Sequence, residues 1–527
     1  MLPSSRRTWL PFAVAPLGGL AFALAAPPEG VPGLAWLGFA PIWWAIFRTD
    51  VTPRRAAWIA WAGGFPAVFV GFRWITYTVR IYAEFDWPLA LALHVLFSAW
   101  HTIPFALWGF GLRAVHQPSL ALRIVWAAAW WVALSTSWLH IFPHTVVIGF
   151  ARHAPWMQAA EFGGPSLVEL EVLVAGVLLV ESLSLRGRRR IVLGVAATFF
   201  PLLSHLWGAH RMEAIRDELD GAPTVRVGLV QPNIPLRWRD AERKLERLHA
   251  MSVAAERQGA ELVVWPEAGM YPHRLPHELT ADPPDPEYRI LRDHGVPTVL
   301  GVATQSARGE KFNSAIFVDR DHQFIGHFDK VHLVPFGEHV PLVDPTWLLE
   351  RIPAMSHLTP GYGPTRFVLR TAAGAYVMGP LICYEDIIPS FALDVAGQSG
   401  GIDMFVNVTI DTWFGPVGQA EHLALAQFRS VEHRIPLLRS VSSGVTAVVS
   451  PTGEVTESLP SREVSVGALV PPEVLVADVP IARRTSERPT FYAAYGWWIR
   501  PISLLLVLVF VLARFVWPQR EPLAVPA

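Results

Sequence analysis

Apolar runs long enough, or nearly long enough, to cross a bilayer crowd the first part of the chain, at 8–26, 33–47, 57–73, 88–112, 120–140, 166–185 and 191–209. One more follows near 497–516. Between them the pattern changes: from about residue 222 to 485, short apolar runs are broken by polar positions and turn residues. This alternation predicts strands at Val225–Val230, Leu262–Trp265, Thr298–Ala303, Asn313–Val318, Tyr376–Cys383, Met404–Thr409 and Val445–Val449. Helical periodicity marks Arg239–Glu256, Pro286–Asp293 and Gly418–His433. The chain therefore reads as a polytopic α-helical membrane protein with an inserted α/β domain. Residues 1–221 form a membrane domain of about seven helices, 222–485 the inserted domain, and 486–527 a final transmembrane helix and tail.

Composition and charge add a topology. Hydrophobic residues make up 52% of the chain and charged ones 17%, with a mean hydropathy of +0.33, too apolar for an ordinary soluble protein. A net charge of -1 gives no basic field for nucleic acid. Arginines gather in alternate loops: Arg6 and Arg7 before the first run, then Arg48, Arg54 and Arg55, then Arg113 and Arg123, then Arg186 and Arg188 to Arg190, and Arg514 and Arg520 at the end. The other loops carry little beyond Arg80 and Arg152. The positive-inside rule then puts both termini in the cytoplasm and 222–485 outside. Arg6-Arg7, an apolar run and Ala23-Leu24-Ala25-Ala26 also resemble a cleavable signal. The runs that follow at once favour an uncleaved anchor, and the later topology is the same either way.

Cys383 is the only cysteine, so it has no partner for an internal disulfide or a multi-cysteine metal site. A lone cysteine is most often a small buried apolar residue. Here it ends a strand-like run and precedes Tyr384-Glu385-Asp386, the setting of a presented nucleophile. The chain has just three lysines, Lys244, Lys311 and Lys330. Lys330 sits in His327-Phe328-Asp329-Lys330-Val331-His332-Leu333-Val334-Pro335-Phe336-Gly337-Glu338, and an apolar strand delivers Glu267 at the end of Val263-Val264-Trp265-Pro266-Glu267. No tandem repeat or Gly-rich phosphate loop occurs. His332, His339 and His422 are scattered without metal-ligand spacing and read as structural histidines.

Glu, Lys and Cys in this order resemble the triad of the carbon-nitrogen hydrolase (nitrilase) superfamily, which implies an α-β-β-α sandwich for 222–485. The flanking spans and Lys330-x-His-Leu-Val-Pro-Phe-Gly-Glu338 narrow the resemblance to the apolipoprotein N-acyltransferase family. It extends over Val230-Gln231-Pro232-Asn233-Ile234-Pro235, Arg434 to Ala447, and Tyr495-Gly496-Trp497. Pro232, Ile410 and Ser443 depart from that family's usual Gly, Asn and Asn, and none of them is a triad position.

The resemblance implies a Cys383 nucleophile, a Glu267 base, and a Lys330 that meets the oxyanion with backbone N–H groups around Cys383 and Tyr384. A thiol with a pKa near 8.5 needs such help at neutral pH. Glu338 would orient Lys330 or Glu267, and Tyr384 and Glu385 would support the site. Trp238 matches the family's lid position. Trp347, Leu348 and Leu349 lie in an apolar stretch that reads either as an arm dipping into the membrane interface or as core packing. The implied partners are a phospholipid acyl donor, typically phosphatidylethanolamine, a diacylglyceryl apolipoprotein acceptor and membrane lipids, with no metal or organic cofactor. A membrane-tethered amidase that releases its acyl group to water is the alternative enzyme. A catalytically silent scaffold or transporter subunit is the alternative outside enzymes, and it lacks support because no charged residue is read mid-span.

Overall fold

The computed structural model of the protein describes residues 4–48, 51–235, 238–339, 357–464, 470–482, 484–496 and 498–516, with side chains described from residue 9 to residue 514 within these. The chain divides into two compact units. One contains residues 1–76, 85–212 and 495–527; the other contains 77–84 and 213–494.

The first unit is helical, and the apolar runs of the sequence form helices with breaks that have local causes. Run 8–26 becomes Ser4–Val14 and Pro16–Ala25, separated where Pro16 removes a backbone donor. Run 33–47 becomes a 3-10 turn, Pro32–Leu37, and a helix, Phe39–Ile46. Run 166–185 lies inside Ala160–Ser184, which kinks at Gly163 and Gly164, the latter at a φ of 64°. Among the described residues three helices are long and apolar enough to cross a membrane: Trp87–Ala114, Leu120–Ser137 and Gly187–Leu219. The expectation of spans without mid-span charge is corrected here, because Glu169, Glu171 and Glu181 all lie within Ala160–Ser184. Each has a partner that explains it. Glu169 accepts from the Thr145 hydroxyl at 2.7 Å and the Trp131 indole at 2.9 Å, Glu171 from Ser204 at 2.9 Å, and Glu181 from Trp43 at 3.1 Å and Arg123 at 3.0 Å. These are fasteners between helices, as polar groups in an apolar setting must be.

The second unit is a sandwich of two sheets. Thirteen strands are described: β1 Thr224–Gln231, β2 Leu262–Val264, β3 Arg274–Pro276, β4 Thr298–Gln305, β5 Lys311–Val318, β6 Phe324–Asp329, β7 Phe367–Arg370, β8 Ala375–Ile382, β9 Met404–Thr409, β10 Leu437–Val441, β11 Thr446–Val449, β12 Val455–Leu459 and β13 Glu473–Pro480. The first sheet runs β13-β1-β2-β4-β5-β6 with β3 added on β4, and the second runs β12-β11-β10-β9-β8-β7. Parallel pairing holds β1 to β2, β2 to β4, β8 to β9 and β9 to β10. Ser440 on β10 stitches the sheets together, its hydroxyl reaching Val230 O and Val264 O at 2.9 Å each. Helix Ala241–Arg257, capped by the Asp240 carboxylate on Arg243 N at 3.1 Å, buries Leu245, Leu248 and Ala255 against Val230, Val263 and Leu300 of the first sheet. Helices Pro389–Ala396 and Gly415–His433 pack on the second sheet. The result is the α-β-β-α layering that the resemblance implied.

Residues 286–293, expected to be helical, form turns instead. The Asp282 carboxylate accepts from Ile290 N at 2.7 Å and Leu291 N at 2.9 Å, taking the donors a helix would have used. Trp265 and Cys383 also fall just beyond the strands expected to include them.

Gly301 on β4 shows how tightly the sheet approaches the Glu267 segment. A Cβ there would lie 2.4 Å from Glu267 Cα and 2.7 Å from its carbonyl carbon. Gly301→Ala is therefore expected to destabilise the protein by about 1–3 kcal/mol through overpacking against backbone. Thermal unfolding in detergent measures this, and an unchanged melting temperature would mean that β4 has room to spare.

Candidate active site

Four strand ends converge on one small volume. Glu267 follows β2 after the rigid Trp265-Pro266 pair, Lys330 directly follows β6, Cys383 directly follows β8, and Ile410 directly follows β9. Cys383 is the first residue of a short 3-10 turn, Cys383–Ile387, and holds a left-handed φ of 50°. That conformation costs a non-glycine residue about 1–3 kcal/mol. The neighbours hold it there: Asn407 Nδ2 donates to Cys383 O at 3.1 Å, and the Glu385 carboxylate accepts from Ile382 N at 2.9 Å. Glu385 also accepts from Val331 N at 2.8 Å and His332 N at 3.1 Å, which ties the thiol-bearing turn to the lysine-bearing one.

Lys330 is fully buried and lies between two carboxylates, 3.2 Å from Glu267 Oε1 and 2.8 Å from Glu338 Oε2. Asn313 on β5 donates through Nδ2 to Glu267 Oε1 and to Glu338 Oε1, at 2.8 Å each. Backbone donors complete the set, with Ile410 N on Glu267 Oε2 at 2.9 Å and Val334 N on Glu338 Oε2 at 2.9 Å. Burial alone would lower the Lys330 pKa, but Glu267 and Glu338 outweigh it and hold the ammonium well above the ordinary lysine value. Burial raises Glu267, with Lys330 opposing and Glu338 adding to the rise. Burial and then the nearby Glu267 charge push the Cys383 thiol up, against the pull of Lys330. The Cys383 thiol and the Glu267 carboxyl thus both hold a proton more firmly than usual, an arrangement suited to proton exchange between them.

Other expected residues fall around this core. Tyr384 is buried, with its phenol pushed up to about 12 by burial. Glu385, raised to about 8 by burial, is the clamp described above. Trp238 packs against Ile234, Met270 and Ile410, together with Trp413, so it sits on the cluster whose Ile410 N reaches Glu267. The Arg247 guanidinium lies 5.6 Å from the Trp238 ring centre. Trp347, Leu348 and Leu349 lie outside the described residues.

Sequence reasoning overlooked Asn313 and a second buried charge network behind the thiol. His422 Nε2 lies 2.7 Å from Asp386 Oδ1 and His422 Nδ1 lies 2.8 Å from Asp411 Oδ1. Arg439 donates to Asp386 Oδ2 at 3.2 Å and to Asp411 Oδ2 at 2.8 Å. Burial would lower His422, but Asp386 and Asp411 raise it to about 9, so both its ring nitrogens carry protons; Arg439 and then His422 overcome burial and hold Asp411 at about 2. Two cations and two anions thus balance in the interior. The network fixes the thiol turn through Asp386 and the end of β9 through Asp411.

Comparison with known proteins follows the same division of the chain. Residues 226–486 match the carbon-nitrogen hydrolase family model, and residues 18–178 match the model of the apolipoprotein N-acyltransferase N-terminal domain. A relative from Brucella suis, named apolipoprotein N-acyltransferase, is 30% identical over 535 residues, covering 94% of this chain and 93% of its own. The chain belongs to the apolipoprotein N-acyltransferase family. Two further members are similar over most of their length: one from Azotobacter vinelandii at 29% identity, covering 89% of this chain and 90% of its own, and one from Pseudomonas syringae at 31%, covering 80% and 84%. Among solved structures, an amidase from Nesterenkonia sp. matches 49% of this chain and 90% of its own at 20% identity, with a TM-score of 0.36.

In this family member the balance of the second network has a pH signature. His422 is raised from 6.5 to about 9, so its contribution is full below pH 6.5 and is lost as pH rises through about 9, a span of roughly 3 kcal/mol. Asp411 stays ionised throughout that window. The stability gap between wild type and His422→Gln should therefore narrow between pH 6.5 and pH 9 in denaturant melts. A gap that stays constant would mean that His422 carries no extra proton in the fold.

Proposed function

We propose that the protein transfers a fatty acyl chain from a membrane phospholipid, through a thioester on Cys383, to the N-terminal amine of a diacylglyceryl-cysteine in apolipoproteins. The observation that carries this reading is the buried Lys330 shared by Glu267 and Glu338 beside a strained Cys383, in a chain whose family membership extends over both units. In the first half-reaction the Cys383 sulfur attacks the ester carbonyl while Glu267 takes the thiol proton. Lys330 and backbone N–H groups at the Cys383 turn meet the negative charge on the carbonyl oxygen. The C–O bond breaks, Glu267 returns its proton to the departing alkoxide, and lysophospholipid leaves. In the second half-reaction the acceptor amine attacks the thioester, Glu267 removes the amine proton, and the C–S bond breaks to leave an amide and a thiolate that recovers the proton.

Supporting roles go to Glu338, which fixes Lys330, and to Glu385 and Tyr384, which shape the turn. Trp238 and the Trp347, Leu348 and Leu349 segment are proposed to receive the acyl chain. The arginine pattern supports a multi-pass inner-membrane protein with residues 222–485 on the periplasmic side, where phosphatidylethanolamine and exported apolipoproteins are both available. Residues 1–221, 222–485 and 486–527 are the proposed membrane, catalytic and closing segments. The alternative amidase would hand its acyl group to water, so the product separates the two: an N-acylated lipoprotein peptide supports transfer, and free fatty acid alone overturns it.

Cys383→Ser should abolish hydroxylamine-sensitive labelling by an acyl-chain phospholipid probe while the protein still inserts into membranes. Label that persists in the Ser variant would remove Cys383 as the nucleophile. Lys330→Arg should lose acyl transfer nearly as completely as Lys330→Ala, because a planar guanidinium cannot take the place of a compact ammonium between two carboxylates. Turnover close to wild type in the Arg variant would show that charge alone suffices there.

A further inference from the structure

We propose that His277, His327 and Asp329 form a binding site for a divalent transition metal, zinc by the chemistry of its donors, distinct from the groups assigned to acyl transfer. His277 directly follows β3, where its backbone N–H bonds Gln305 O on β4 at 2.9 Å. His327 and Asp329 are two residues apart on β6 and so point to the same side of the strand. The two imidazoles address one carboxylate: His277 Nε2 lies 2.8 Å from Asp329 Oδ2, and His327 Nε2 lies 3.1 Å from Asp329 Oδ1. One donor atom from each residue falls within 4.8 Å of the others.

Three features favour a metal over a plain hydrogen-bonded cluster. The donor set, two imidazoles and a carboxylate, suits zinc, whose bonds of about 2.0–2.1 Å put tetrahedral ligands roughly 3.3 Å apart, and the imidazole-to-carboxylate separations of 2.8 and 3.1 Å lie near that spacing. Calcium or magnesium would ask for more oxygens than are offered. The carboxylate is held from behind: Ser314 Oγ donates to Asp329 Oδ1 at 2.6 Å and lies 2.8 Å from Thr304 Oγ1, the kind of support that orients metal ligands. Finally, the side chains of His277, His327 and Asp329 are 27%, 26% and 13% exposed, which leaves them open to solvent. The Phe312 ring, 4.5 Å from that of His277, walls the apolar side. Because Asp329 directly precedes Lys330, a bound ion would staple the β3 end to the strand that delivers the lysine.

The test uses tag-free full-length protein in detergent. Zinc at about a hundred times its Kd should raise the melting temperature by roughly 5 °C, and the His277→Ala/His327→Ala double variant should show no such shift relative to its own metal-free melt. Cobalt, a spectroscopic substitute for zinc, should give wild-type protein the intense visible bands of a tetrahedral nitrogen and oxygen site, a readout that needs no variant. No zinc-dependent shift in wild type, an equal shift in the double variant, or a weak octahedral cobalt spectrum would overturn the assignment.

Discussion

A single buried ammonium serves two carboxylates, Glu267 buried and Glu338 partly exposed, and the site is arranged around that constraint. Lys330 could not remain charged in the interior without Glu267 and Glu338, and removing one member of such a pair typically costs about 3–5 kcal/mol. One cation does not balance two anions, so the excess negative charge is met by neutral donors: Asn313 on both carboxylates, Ile410 N on one and Val334 N on the other. These donors come from β5 and from segments just past β6 and β9, so the ion cluster also joins the two sheets.

The sandwich supplies this convergence cheaply. The ends of β2 and β6 in one sheet and of β8 and β9 in the other open toward one region, and Glu267, Lys330, Cys383 and Ile410 each lie within three residues of the strand end that carries them. The left-handed Cys383 is the one costly step, and Glu385 and Asn407 hold it. Behind it, Asp386, Asp411, His422 and Arg439 form a balanced ion set that depends little on solvent for its charge neutrality.

Much of this was legible in the chain. Glu267 and Cys383 each stand at the end of an apolar strand pattern, where a charged or nucleophilic residue is conspicuous, Lys330 is one of only three lysines and shares a motif with Glu338, and these motifs match a known order. Asn313 was not, because a polar residue inside a strand of alternating pattern reads as an outward-facing position. The His422 network was equally hidden: its members belong to a turn, a strand end, a helix and another strand, and only tertiary packing unites them. The same holds for His277 and His327, brought together by the pairing of β4 with both β3 and β5, and of β5 with β6. The misread helix at 286–293 shows the limit of periodicity, since the Asp282 side chain captured the amides that the pattern had assigned to a helix.

Holding Lys330 as an ammonium also bears on the thioester proposed at Cys383. An unprotonated lysine amine within reach of an acylated cysteine would take the acyl group by S-to-N transfer and end as a stable amide. The paired carboxylates keep the Lys330 lone pair occupied by a proton, so this amine could not compete for an acyl group carried on Cys383. Of the other two lysines in the chain, Lys244 is buried against Gly269 O at 2.7 Å and only Lys311 is exposed. In the proposed reaction, an acyl chain carried on Cys383 would thereby be left for an incoming amine.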